Sequence, residues 1–191
     1  AGGGSGTGRA VAERLAAPGP HANLGLVPLG TGNLLARNRG VPLGDMPAAL
    51  ARACGSGPRT LDIGWADTGE ERKAFAVMAG FGIDANMIAE TDDDLKDKAG
   101  WVAYVESLGR ALSASESLEI YLTIDDEERR VKAHTLIVGN CGTLQGGFTL
   151  LPDADPSDGE LDLALFDADG FAGWADTVKN VVWDNGIARL I

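Results

Sequence analysis

AGGGSGTGRA, residues 1–10, followed by VPLGTGNLLARNRG, residues 27–40, is the stretch whose reading decides the fold. The first glycines alone admit two readings. Gly/Ser runs make flexible spacers. The same residues also make phosphate loops, because backbone N–H groups without Cβ neighbours converge on oxygens and a following helix adds its positive dipole end. Residues 9–17 read as a short helix with Val11 and Leu15 on one face, closed by the Pro18-Gly19-Pro20 run. Residues 24–28 are a short apolar run suited to a buried parallel strand. A second Gly-rich turn, Gly30-Thr31-Gly32-Asn33, then breaks into another helix. Two glycine turns, each opening a helix and separated by helix and strand, are what a crevice at the strand ends of an α/β sheet requires. The plainer alternative for residues 30–33 is a strand–helix turn with Asn33 as its cap.

Working outward, Asp45 is placed to cap a further helix with Pro47 in its first turn, ending near Cys54. After CGSGPRT, residues 54–60, the style changes: residues 61–66, 73–79, 118–124, 129–138 and 161–166 read as strands. IYLTIDDEERRVKAHTLIV, residues 120–138, reads as a hairpin turning at its acidic DDEE. Residues 84–114 read as largely helical, with Trp101, Val105 and Leu108 at helical spacing and Asp92-Asp93-Asp94 as a solvated charge cluster. The expected fold class is therefore α/β plus all-β. A partial doubly wound nucleotide-binding domain, residues 1–56, precedes an antiparallel β-sandwich-like domain with helical insertions, residues 57–191.

Composition narrows the function classes. Hydrophobic residues make up 45% and charged residues 23% of 191, a globular balance. The net charge of −12 argues against nucleic acid as a partner and against a polybasic membrane anchor. Cys54 and Cys141 lack CxxC spacing, and His21 and His134 are too scattered for a histidine metal site. With no signal peptide or membrane-length apolar run at hand, a cytoplasmic setting is the expectation.

Known loop chemistry can be tested directly. Residues 3–10 give GxxxxGRA, which lacks the lysine and hydroxyl of a Walker A loop. No GxGxxG occurs in residues 1–10, and Thr7 stands where a GxSxG elbow needs its last glycine. The acidic run from Asp153 fails as an EF-hand, since the required glycine falls on Asp158 and the closing glutamate on Ala164.

The two turns together resemble the diacylglycerol-kinase-type lipid kinases, which share a fold with sphingosine kinases and, more distantly, NAD kinases. Gly3-Gly4-Ser5-Gly6-Thr7 stands in place of the family's GGDGT loop, and PLGTGNLLARNRGVPL, residues 28–43, matches its P-x-GTGN loop and helix. FAVMAGFGIDANMI, residues 75–88, is similar to the family's entry into its second domain. VGNCGTLQGGFTLLPDADPSDGELDLALF, residues 138–166, resembles its GN…GGG…L.P.A..DDG.LD segment. NAD kinases share only the first of these motifs.

The resemblance implies ATP-dependent, Mg²⁺-assisted phosphorylation of a lipid hydroxyl such as that of diacylglycerol, in phospholipid biosynthesis. It implies nucleotide binding by Gly3, Gly4, Ser5, Gly6, Thr7, Gly30, Thr31, Gly32 and Asn33. It also implies a magnesium turn with the Asp158 side chain and the carbonyls of Asp155 and Glu160 as ligands; a plain Asp-Gly hairpin turn is the alternative. Implied partners are the nucleotide and a lipid substrate at the inner membrane face, with a second copy of the chain as a further candidate. Arg37 and Arg39 read either as phosphate contacts or as solvated helix charges, and Ile83, Met87, Trp101 and Phe148 either as a lipid slot or as core.

Two departures bear on activity. Ser5 replaces the family aspartate, whose carboxylate belongs to the catalytic, metal-linked network. The family's general base lies in a DG[ED] motif expected beyond Ile191, so no catalytic residue is assigned. The sequence therefore reads as an internal fragment, inactive as it stands. An active lipid kinase and a nucleotide- or lipid-binding pseudokinase both stay open.

Overall fold

The computed structural model describes residues 2–18, 22–55, 57–82, 117–144 and 149–166. The expected helical segment 84–114, with Trp101, Val105 and Leu108, lies outside these residues, as do Ile83, Met87 and Phe148.

The chain divides into two compact units, one of residues 1–79 with 138–163 and one of residues 80–137 with 164–191. In the first unit, strand β1 (Gly2–Gly3) pairs in parallel with β2 (Val27–Pro28), in the register Gly2↔Val27 and Gly3↔Pro28. Between them runs helix α1 (Ser5–Ala16). It begins four residues earlier than the glycines' low propensity suggests, because packing against β1 and helix α2 (Leu34–Asn38) overrides propensity. The ladder at β2 takes in Val27 and Pro28 of the apolar run 24–28. Helix α3 (Met46–Gly55) packs on β2 and starts as expected, with Asp45 Oδ1 accepting the Ala48 N–H at 3.0 Å. Strands β3 (Gly64–Asp67) and β4 (Arg72–Phe75) form an antiparallel hairpin, and β4 also packs against α1. The Glu13 carboxylate of α1 accepts from Arg9 at 2.5 Å and from the Ala74 N–H at 3.3 Å. The core of this unit gathers Leu35, Ala76 and Cys141, with Leu26, Leu61, Ile63 and Val77 against them.

Strands β5 (Met78–Phe81), β8 (Thr135–Gly139) and β9 (Asp162–Phe166) hydrogen-bond in the order β5–β8–β9. Central β8 is buried along almost its whole length, as its unbroken TLIVG pattern suits. In the second unit, β6 (Leu118–Ile124) and β7 (Glu127–Ala133) form an antiparallel hairpin. The turn is Asp125-Asp126 alone rather than all four acids. Both aspartates take positive φ, 49° and 67°, the backbone that a two-residue hairpin turn needs, and Glu127 already pairs with Ile124. Ile120 and Ala133 face inward, while Glu119, Tyr121 and Arg130 form an ion pair and a cation–π contact on the other face. The fold class is thus α/β joined to antiparallel β structure.

Candidate functional site

Because β1 and β2 are parallel neighbours, the chain leaves both at the same end, so the two glycine turns emerge side by side. They touch through their backbones. A Cβ built on Gly30 would stand 2.4 Å from the Gly4 Cα, a distance no side chain survives. The Leu29 N–H also donates to the Gly3 carbonyl at 3.4 Å. The structure therefore brings Gly3 and Gly4 against Gly30, as the paired-turn reading requires.

Ser5, Gly6 and Thr7 belong to the first turn of α1 rather than to a loop. Gly4 is the N-cap in extended geometry, and among the described residues no side-chain hydrogen bond caps the helix. The first-turn N–H groups of a helix have no intrahelical acceptor, and the positive end of the dipole lies there. The Gly8 N–H is the first to close back, onto the Gly4 carbonyl at 3.1 Å. Gly6 is a helical glycine, and beyond its chain neighbours and the backbone of its own helix no atom of the described residues lies within 4 Å of a Cβ placed on it.

The second turn is locked from within. Asn33 sits in the left-handed region, φ 48° and ψ 37°, which asparagine tolerates better than most residues. Its amide does not cap α2; it folds back, with Oδ1 accepting the Gly30 N–H at 3.1 Å and Nδ2 donating to the Gly30 carbonyl. Arg37 donates from Nε to the Gly32 carbonyl at 2.8 Å, and Arg39 donates to the Thr60 carbonyl at 2.8 Å. Both arginines thus bond backbone carbonyls, Arg37 bracing the turn from behind. Thr31 is exposed at its tip.

The acidic turn belongs to the same unit. Asp155 accepts from Ser157 through its carbonyl at 2.8 Å and its carboxylate at 2.6 Å, and Asp158 Oδ1 accepts the Glu160 N–H at 3.0 Å. Gly159 supplies the positive φ of 84° that turns the chain between them. Burial pushes the Asp162 carboxyl upward, and the negative charges of Asp158, Asp153 and Glu160 push it further. Among the described residues no group of three His, Cys, Asp or Glu side chains is arranged to hold a metal ion. The oxygen donors present, one carboxylate with backbone carbonyls in a crowded negative field, suit a hard divalent cation that keeps several waters.

Residues to which the sequence reading assigns no role hold this arrangement together. Asp62 takes the Pro156 carbonyl with its N–H at 2.9 Å and the Gly159 N–H with its carboxylate at 2.8 Å. Asn140, 1% exposed, donates from Nδ2 to the Asp62 carbonyl at 2.8 Å and the Ala76 carbonyl at 3.1 Å. Its Oδ1 is a buried acceptor with no hydrogen-bond partner among the described residues. Asn38 ties the helix after the second turn to the strand-end segment: Nδ2 donates to the Thr143 carbonyl at 2.8 Å and Oδ1 accepts the Thr143 N–H at 3.0 Å. An asparagine two residues before a glycine, and an aspartate two residues before a strand, carry no local mark of partners 105 and 97 residues away.

Two backbone turns thus meet at the ends of neighbouring parallel strands, with an acidic turn in the same unit. The match to known proteins is specific. Residues 1–66 match the diacylglycerol kinase catalytic domain, and residues 76–180 match the YegS C-terminal NAD kinase beta sandwich-like domain. The chain belongs to the diacylglycerol-kinase-type lipid kinase family. It is 38% identical over 168 residues to a probable lipid kinase YegS-like protein of Pseudomonas syringae pv. tomato, covering 88% of this chain and 53% of that one. It is 32% identical over 149 residues to a diacylglycerol kinase of Mycobacterium tuberculosis, covering 76% and 48%. The fold is shared with a putative diacylglycerol kinase from Bacillus anthracis at a TM-score of 0.72 and 24% identity, covering 97% of this chain and 60% of that one. The chain thus spans about half the length of the curated relatives it matches.

Proposed function

We propose that this chain forms the nucleotide-binding core of an ATP-dependent lipid kinase acting on a lipid hydroxyl such as that of diacylglycerol. One observation carries the reading: Gly6 stands in the uncapped first turn of α1, and nothing within the described residues crowds it. A helical glycine costs up to about 1 kcal/mol relative to alanine. The chain's own packing gives no return for that cost, whereas a phosphate seated on the first-turn amides does. Gly30, Thr31, Gly32 and Asn33 supply the facing turn, which rests on Gly4 and is held in shape by the Asn33 amide and Arg37. The amides of both turns orient the phosphate chain and exclude water from it; phosphoryl transfer asks mainly for such positioning and charge neutralisation.

The acidic turn is the place for Mg²⁺, with the Asp158 carboxylate and the Asp155 and Glu160 carbonyls as its holders. When bound there, the ion would supply positive charge to the nucleotide phosphates. Asp62 and Asn140 keep the turn's backbone in position. The lipid acceptor places the working protein at a membrane surface; among the described residues no helix is long and apolar enough to cross one.

Ser5 supports a second reading. A hydroxyl cannot supply the charge of the family carboxylate, so this protein binds ATP and transfers phosphate slowly or not at all. Chemistry should suffer more than binding, because the lost charge acts where charge changes most. The test is transfer of labelled γ-phosphate from ATP to dioctanoylglycerol by the full-length protein and its Ser5→Asp variant. A slow native rate that rises about tenfold or more in Ser5→Asp, at nearly constant ATP affinity, supports a weakened kinase. A fully active native protein slowed by Ser5→Asp would overturn the second reading, and no transfer by either would overturn the first.

A further inference from the structure

We infer that the pocket ringed by Arg39, Arg52 and Arg59 is a second anion site, separate from the glycine turns, that takes an amphipathic phosphate monoester. The pocket has a volume of about 490 Å³, within the range of small-molecule sites. It is walled by the last turns of α1, the run into β2, the tail of α3 and residues 57–63. The glycine turns lie at the start of α1, and twelve helical residues span about 18 Å.

Two features set this pocket apart. First, no described residue lining it is acidic, in a chain of net charge −12 with 28 acidic residues. The ion pairs among the described residues all use other cations: Arg9, Lys73, Arg129 and Arg130. Second, the three guanidiniums are held in place by backbone carbonyls rather than carboxylates. Arg52 donates to the Gly40 and Arg39 carbonyls at 2.8 and 2.9 Å, Arg59 to the Arg39 carbonyl at 3.1 Å, and Arg39 to the Thr60 carbonyl at 2.8 Å. Each guanidinium has five N–H donors, so these bonds orient it and leave others for a ligand.

Capping the end of α2 is the plainer role for such bonds, but it needs one cation. Three gathered without an anion repel one another, and a bound anion removes that repulsion. Arginine forks match phosphate oxygens two at a time and retain their full positive charge at neutral pH. Apart from Asn23, the side chains on the rest of the wall are mostly apolar, among them Leu15, Val41 and Ile63, so the ligand carries a hydrocarbon part beside its charge. A phosphate monoester on a lipid meets both demands; free phosphate meets only the first.

The two sources are separated by calorimetric titration of the full-length protein with dioctanoyl phosphatidic acid, with sodium phosphate and with uncharged dioctanoylglycerol. Phosphatidic acid should bind about tenfold or more tightly than sodium phosphate. Arg59 is exposed and has a single described bond, so Arg59→Glu should fold normally, as its Tm reports, and weaken phosphatidic acid binding about tenfold with ATP affinity unchanged. Arg59→Ala should show a smaller loss of the same sign. Equal binding of phosphate and phosphatidic acid would overturn the amphipathic assignment. No effect of Arg59→Glu on phosphatidic acid binding would overturn the anion site itself, whereas dioctanoylglycerol, the proposed substrate, should bind native and Arg59→Glu protein alike. None of these outcomes depends on whether the glycine turns hold ATP.

Discussion

Gly30 rests directly on Gly4: a Cβ on the former would stand 2.4 Å from the Cα of the latter. The contact joins two turns that are neighbours only because their strands pair in parallel, and it admits glycine alone. Gly30→Ala must therefore part the turns or strain the backbone. A loss of about 1–3 kcal/mol in unfolding free energy is expected, measured by urea denaturation. Unchanged stability would mean that the turns are not in contact.

Asn33 distinguishes conformational freedom from hydrogen bonding. Asn33→Ala loses both bonds to the Gly30 peptide and puts alanine in the left-handed region, where it costs about 1 kcal/mol or more. Asn33→Gly loses the bonds but keeps the backbone. Thermal unfolding should rank native above Asn33→Gly above Asn33→Ala; equal Tm values for the two variants would show that φ at this position carries no cost.

Asn38 offers a test of the long-range tie to Thr143. Replacing it by alanine leaves the half-buried Thr143 peptide short of both Asn38 partners, a loss of about 1–3 kcal/mol. Asn38→Asp should recover only the bond that the Thr143 N–H donates, and so fall between native and alanine in a denaturation series.

Much of this arrangement is legible from local chemistry. The glycine turns, the strand between them and the Asp45 cap announce themselves by residue type and spacing. The start of α1 does not, because glycines at residues 6 and 8 argue against helix until packing decides otherwise. Nor does the DDEE turn: Asp and Glu look alike as turn acids, but only Asp125 and Asp126 take positive φ. Asn33 reads equally well as a helix cap, and only coordinates show its amide turned back onto Gly30. Asp62, Asn38 and Asn140 are legible only in three dimensions, since each acts through partners distant in sequence.

The two cysteines should separate cleanly by reactivity. Cys54 is exposed, whereas Cys141 is buried and its thiol is pushed up to about 12 by burial, with Arg39 lowering it and Asp155 raising it. A thiol whose native pKa is raised contributes stability below its ordinary value near 9.0, and that stability is lost as pH climbs toward 12. At pH 8, thiol labelling should modify Cys54 alone until the protein is unfolded. In Cys141→Ala the fall of Tm above pH 9 should be shallower than in the native protein. Rapid labelling of both thiols in the folded state would contradict the burial.

The claim that the uncapped start of α1 seats nucleotide phosphates is tested most directly by the ATP affinity of Gly6→Ala in the full-length protein. A methyl at residue 6 meets no described atom beyond its chain neighbours and its own helix backbone, so the helix should gain up to about 1 kcal/mol and Tm should hold or rise. The same methyl would stand beside first-turn amides that a phosphate must approach closely, so ATP binding should weaken about tenfold or more. A variant at least as stable as native with that loss of affinity is the predicted result. A stable Gly6→Ala protein that binds ATP as tightly as native would contradict the account.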